Sequence, residues 1–153
     1  MSSLPKEVRL DDVMPTIREL LAKGQSVRLY PKGVSMMPML RQNIDSVLLS
    51  PVKGKLKKYD LPLYRRKSGQ YVLHRILKVG DTYTCIGDNQ FTYEKGVKQE
   101  QLIAVVTGYY RAEEYRSVTS FRYKFYVRWR HWTRFPRHVL RWLKIKLTKK
   151  AGA

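Results

Sequence analysis

Residues 33–39 read Gly-Val-Ser-Met-Met-Pro-Met, and the reading of this stretch decides the fold around it. Ser35 stands two places after a glycine and directly before a Met-Met-Pro run. Glycine permits close approach of the backbone and proline stiffens the chain, which suits a serine that must present its hydroxyl to a substrate. Just upstream, residues 26–33 (SVRLYPKG) alternate as a strand delivering the chain to Ser35. Downstream, residues 45–52, 61–66, 70–79 (QYVLHRILKV), 82–87 (TYTCIG) and 101–112 are rich in Val, Ile, Leu and Tyr and predict further strands. Lys67-Ser68-Gly69 and Gly80-Asp81 are turn signals between them. Ahead of this module, residues 11–24 predict a short amphipathic helix, capped by Asp11 or Asp12 and ended by Gly24. The expected fold is mainly β over residues 25–112, with one N-terminal helix.

The charge balance is unusual. Thirty-one Lys and Arg against 12 Asp and Glu give a net charge of +19, which points to an anionic partner. The single cysteine, Cys85, excludes an internal disulfide and is expected to be a small buried hydrophobe. No metal or cofactor constellation is expected, and His131 and His138 read as part of a basic segment. No stretch reaches the ~18–20 apolar residues of a membrane span. The first residues, MSSLPKEVRLDDVM, lack the apolar core of a signal peptide, so the chain is expected to stay in the cytoplasm.

The character changes near Glu114, which sets an expected division into residues 1–114 and 115–153. The second segment holds no acid. Phe121, Phe125, Trp129, Trp132, Val139 and Leu143 fall on one face at 100° per residue, and Arg130, Arg134, Arg137 and Arg141 fall on the other. This predicts a basic amphipathic helix, kinked or divided at Pro136. Three uses fit it: packing on the protein's own core, nucleic-acid binding through aromatics among arginines, and, as the favoured reading, binding to an anionic membrane surface.

Within the β module, His74 and Asp88 complete a set of residue types with Ser35. A serine hydroxyl needs a base, histidine has a suitable pKa, and a carboxylate can fix the imidazole and stabilise its charged form. Met36, Met37 and Met39 fit either core packing or an adaptable substrate floor.

The ordered elements GVSMMPML, NID, KYDLPLYRR, VLHRI and IGDN, running from about Glu19 to Arg111, resemble the signal peptidase superfamily, which includes the self-cleaving LexA-related repressors. The resemblance implies a coiled β-sheet peptidase domain with Ser35, in Ser-Met-x-Pro, as nucleophile. Where many members use lysine as base, this chain has His74, similar to the archaeal and endoplasmic-reticulum type, in which an aspartate matching Asp88 assists. Asp45 and Asp60 match two Gly-Asp turns of the family, with Asn43-Ile44 and Tyr59 in place of glycines. The membrane anchor of the family's exporters is absent from this sequence. Gly33 stands two before Ser35, where no hydroxyl can join the oxyanion hole, so backbone N–H groups are expected to stabilise the oxyanion. The resulting expectation is a serine endopeptidase that cleaves a peptide or precursor leader through an acyl-enzyme. The rival is an inactive peptidase fold used to bind anionic membrane or nucleic acid.

Overall fold

The computed structural model describes residues 9–151; the segment read above against a signal peptide lies largely outside them, at residues 1–8. The chain opens with helix α1 (Leu10–Ala22), which buries Met14, Ile17 and Leu21. Its start is Arg9, with no side-chain cap, and Asp11 and Asp12 lie in the first turn instead, beside the helix's positive end. Its end follows expectation: Gly24 has φ of +75°, and the N–H groups of Gly24 and Gln25 donate to Leu21 and Leu20.

Two antiparallel sheets follow. The larger is built from β1 (Val27–Leu29), β2 (Ser46–Ser50), β8 (Leu102–Arg111), β3 (Pro62–Arg65) and β4 (Tyr71–Leu73) in that order, with β9 (Glu114–Ser117) also paired to β8. The smaller runs β5 (Arg75–Val79), β6 (Tyr83–Ile86), β7 (Glu94–Val97). Residues 70–79 therefore form two strands where one was expected. The chain leaves the first sheet after Leu73 and enters the second at Arg75, with His74 alone between them. Two apolar cores form. Val47, Leu49, Leu63, Leu73 and Val106 of the larger sheet fill the first, and in the second Tyr64 and Val72 of the larger sheet meet Ile76, Tyr83 and Cys85 of the smaller. Cys85 is fully buried, which pushes its thiol up to about 12.

The C-terminal segment forms α2 (Phe121–Trp132) and α3 (Arg134–Ala151). Ser120 caps α2 by accepting from the Tyr123 N–H. The division falls at Thr133 and not at Pro136, because Pro136 occupies the first turn of α3, where a missing N–H leaves no bond unmade. Helix and strand take similar shares, 31% and 30%, so the fold as a whole is mixed α and β and not mainly β, while residues 25–112 hold strands and one short 3-10 turn. The expected boundary at residue 114 is also crossed. β9 continues the larger sheet to Ser117, and α2 buries Tyr123 and Val127 in the first core. No helix among the described residues is long and apolar enough to cross a membrane.

Candidate active site

Ser35 sits half-buried in a tight turn of the loop between β1 and β2. The turn is held from below: Met36, Met39 and Leu40 are buried in the first core, and the Met37 and Leu40 N–H groups donate to Val34 and Met36. Core packing is thus the position of Met36 and Met39, while Met37 is half-buried. Gly33 has φ of +85°, and the space a β-carbon would take is open. Its backbone conformation, and no crowding, is what calls for glycine.

The Ile-Gly-Asp-Asn segment clamps this turn from the side. The Asn89 N–H donates to the Ser35 carbonyl at 2.8 Å, and Asn89 Nδ2 donates to the Val34 carbonyl at 3.2 Å. Gly87 makes the approach possible, since a β-carbon there would stand 2.6 Å from the Ser35 carbonyl oxygen.

His74, in the link between the sheets, is 4% exposed. Its Nδ1 lies 3.5 Å from Tyr64 Oη and 3.6 Å from Glu94 Oε2. Tyr64 donates its hydroxyl proton to the same Glu94 oxygen at 2.6 Å, and Arg66 donates twice to the Glu94 carboxylate, at 2.7 and 2.9 Å. Burial works against the Glu94 charge, but the Arg66 and Tyr64 hydrogen bonds outweigh it and hold the carboxyl below its ordinary range. Burial pushes the His74 imidazole below its ordinary value, with Glu94 raising it and Arg66 lowering it. An ionised carboxylate facing Nδ1 favours the tautomer with the proton on Nδ1. That leaves Nε2 as the free acceptor of a neutral ring, the form a general base needs.

Ser35 and His74 line one cavity of about 240 Å³, together with Met36, Arg66 and Gln90. A second cavity of about 830 Å³ shares His74, Arg66 and Gln90 with the first and is walled by Phe91 and by His138, Arg141 and Trp142 of α3.

The structure does not give Asp88 to His74. Its carboxylate receives Arg75 Nε and Nη2, both at 2.8 Å, and the Tyr126 hydroxyl at 3.2 Å. Its charge reaches His74 only weakly, behind those of Glu94 and Arg66. Arg75 also donates to Tyr123 Oη at 2.7 Å and to the Tyr59 carbonyl at 3.1 Å. Burial opposes the Arg75 charge, yet Asp88 and Tyr123 hold its pKa well above the ordinary value. The carboxylate that faces His74 is that of Glu94, which lies in the short polar strand β7 and which no pattern in the sequence singled out. His131 and His138 pack edge-on against Tyr59 and Phe91.

No protein-family model matches the chain, and neither a curated protein nor a solved structure matches it, so the functional reading stands on the fold and on the Ser35–His74–Glu94 arrangement.

Proposed function

We propose that the protein is a serine endopeptidase of signal-peptidase type, acting on a peptide or precursor leader. One observation carries the reading: Ser35 and His74 line the same cavity, and the buried imidazole turns Nδ1 toward an ionised carboxylate. In this proposal the Ser35 hydroxyl oxygen attacks the scissile carbonyl while its proton passes to His74 Nε2. Glu94 stabilises the imidazolium that results, and His74 then returns the proton to the leaving amine. Water, deprotonated by His74, attacks the acyl-enzyme, releases the acid product and restores the serine. The larger cavity beside His74 offers room for an extended chain along Phe91 and Trp142. The backbone also supports the resemblance: Tyr59, in place of one of the family's turn glycines, adopts a glycine-like φ of +76°, and Asn43 of the Asn43-Ile44 pair that replaces the other adopts +61°. In the same proposal the enzyme works peripherally on the cytoplasmic face of a membrane.

The test is covalent trapping of the full-length chain by a fluorophosphonate, with the modified residue located by mass spectrometry. Labelling of Ser35 that disappears in His74→Ala and Ser35→Ala is the expected result. Failure to label Ser35, with no peptide turned over by the wild type, would leave an inactive peptidase fold as the better account.

A further inference from the structure

The C-terminal helices turn their apolar stripe away from the protein. α2 packs through Tyr123 and Val127, with Tyr126 and Arg130 half-buried beside them. Its opposite side carries Phe121, Phe125, Trp129 and Trp132, with Phe121 84% and Trp132 80% exposed. Phe125 and Trp129 stack on each other at 6.3 Å. The arginine-bearing side faces the body of the protein. Arg130 Nε donates to the Asp88 carbonyl, Arg137 Nη2 donates to the Arg130 carbonyl, and Arg134 is buried.

The stripe continues into α3. The Thr133 N–H donates to the Trp129 carbonyl and the Arg137 N–H to the Thr133 carbonyl, so the four-residue spacing of bonds survives the junction. The helical phase is kept, and Phe135, Val139, Leu143 and Leu147 extend the same face. From His138 to Lys149 every residue of α3 is exposed. The two helices together run roughly 45 Å at 1.5 Å per residue. An exposed apolar face of this length on a single chain marks an interaction surface.

Charge decides what covers it. Residues 115–153 hold seven arginines, five lysines and no acid, and Arg122, Lys124 and Arg128 flank the stripe on α2, all exposed. A second copy of the chain would bring the same positive field against its own. Single-stranded nucleic acid would satisfy the charge and stack on the aromatics, but it offers nothing to Val139, Leu140, Leu143 and Leu147. A lipid interface takes both kinds of apolar residue and the charge. A further observation lies at the stripe's edge. A cavity of about 520 Å³ is walled by Trp132, Phe135 and Tyr93 and lined by Arg134 and His131. Arg134, 6% exposed, has Nε and Nη1 buried with no hydrogen-bond partner, as is His131 Nδ1. Unmatched guanidinium donors of this kind suit a phosphate oxygen.

We propose that the outward face of α2 and α3 docks on an anionic lipid bilayer, with the aromatic and aliphatic stripe in the interface and Arg134 set to receive a headgroup phosphate. This goes beyond the peptidase reading and does not depend on it, because no step of it uses Ser35 or His74.

All three tryptophans of the chain, Trp129, Trp132 and Trp142, lie on these helices, so tryptophan emission reports on α2 and α3. The experiment mixes the full-length protein with vesicles of phosphatidylcholine, with or without phosphatidylglycerol, some carrying brominated acyl chains. Co-sedimentation with the anionic vesicles, a blue-shifted emission and quenching by the bromines are expected. Trp132→Glu and Phe121→Glu, both at exposed positions, should each weaken vesicle binding by about tenfold or more with the melting temperature unchanged. Arg134→Gln should narrow the preference for anionic over neutral vesicles. The proposal is overturned if anionic vesicles leave the protein in the supernatant at low salt. It is equally overturned if competing single-stranded DNA is bound and vesicles are not, if bound protein shows no quenching, or if Trp132→Glu only dissolves a dimer.

Discussion

Arg75 and Asp88 face each other through two hydrogen bonds of 2.8 Å, with side chains only 2% and 1% exposed. This buried pair joins β5, the loop after β6 and, through Tyr123 and Tyr126, helix α2. Its role is cohesion. Asp88→Asn leaves the Arg75 charge buried without its counterion, and breaking such a pair costs about 3–5 kcal/mol. The expected outcome is a lower urea midpoint together with loss of activity. Full stability with selective loss of rate would return Asp88 to the catalytic set.

Glu94→Gln should behave in the opposite way. It removes the charge that faces His74 Nδ1 while the side chain keeps its shape on the partly exposed strand β7. The rate constant should fall on the order of 10²–10⁴-fold, as for loss of an orienting carboxylate or general base assistance. Binding of substrate should change little. Because Glu94 raises the His74 pKa, the acid limb of the rate profile should also move to lower pH. An unmoved limb would mean that Glu94 only fills space.

In the wild type, burial already holds the His74 pKa below its ordinary value. With the neutral ring as the proposed base, activity should persist into acid below the usual histidine range and fall only as pH drops through the depressed pKa. A rate measured across mildly acidic to alkaline pH checks this. A rise confined to alkaline pH would point to a lysine as base.

Gly87→Ala places a methyl group 2.6 Å from the Ser35 carbonyl oxygen and 3.0 Å from Ser35 Cβ. The turn must move off the Asn89 hydrogen bonds, at about 1–3 kcal/mol for overpacking. Acyl-probe labelling of Ser35 should slow much more than the folded population drops. Labelling at the wild-type rate would show the clamp to be dispensable.

Asp45 accepts from the Arg41 side chain at 2.9 Å and from the Ala112 N–H at 2.8 Å, tying the exit of the Ser35 loop to the β8–β9 turn. Burial opposes its charge, but these donors lower its pKa to about 2. A depressed carboxylate pKa adds stability above the unfolded value and loses it as pH falls toward the folded one. Asp45→Asn should therefore destabilise by roughly 2 kcal/mol at neutral pH, converging with the wild type in strong acid. Urea midpoints at both pH values measure the difference.

Ser35 and His74 stood out in the sequence through their neighbours, a glycine-flanked serine before proline and a histidine in an otherwise apolar run, and the structure lines one cavity with both. Asp88 misled because Gly-Asp-Asn names residue types and not directions. Adjacent strand residues point to opposite sides, so Arg75 had to face away from His74, and a buried arginine requires an acid. Glu94 was invisible: Glu94–Val97 alternates weakly and is half-exposed, and only the pairing of β6 with β7 brings it to His74. For α2, periodicity grouped the aromatic residues correctly. It could not say which arc meets the core, since Tyr123 and Val127 form a smaller apolar patch than the four residues left outside.

His74 belongs to neither sheet. It is the single residue at which the chain passes from β4 to β5, while Ser35 rides on a turn anchored in the first core. In the proposed mechanism the separation of base and nucleophile thus depends on the seam between the sheets, where Tyr64 and Val72 meet Ile76 and Tyr83. A slight rotation of one layer on the other would misalign the proton transfer while every strand stayed paired. Warming should accordingly silence the chemistry some degrees before circular dichroism registers any loss of sheet.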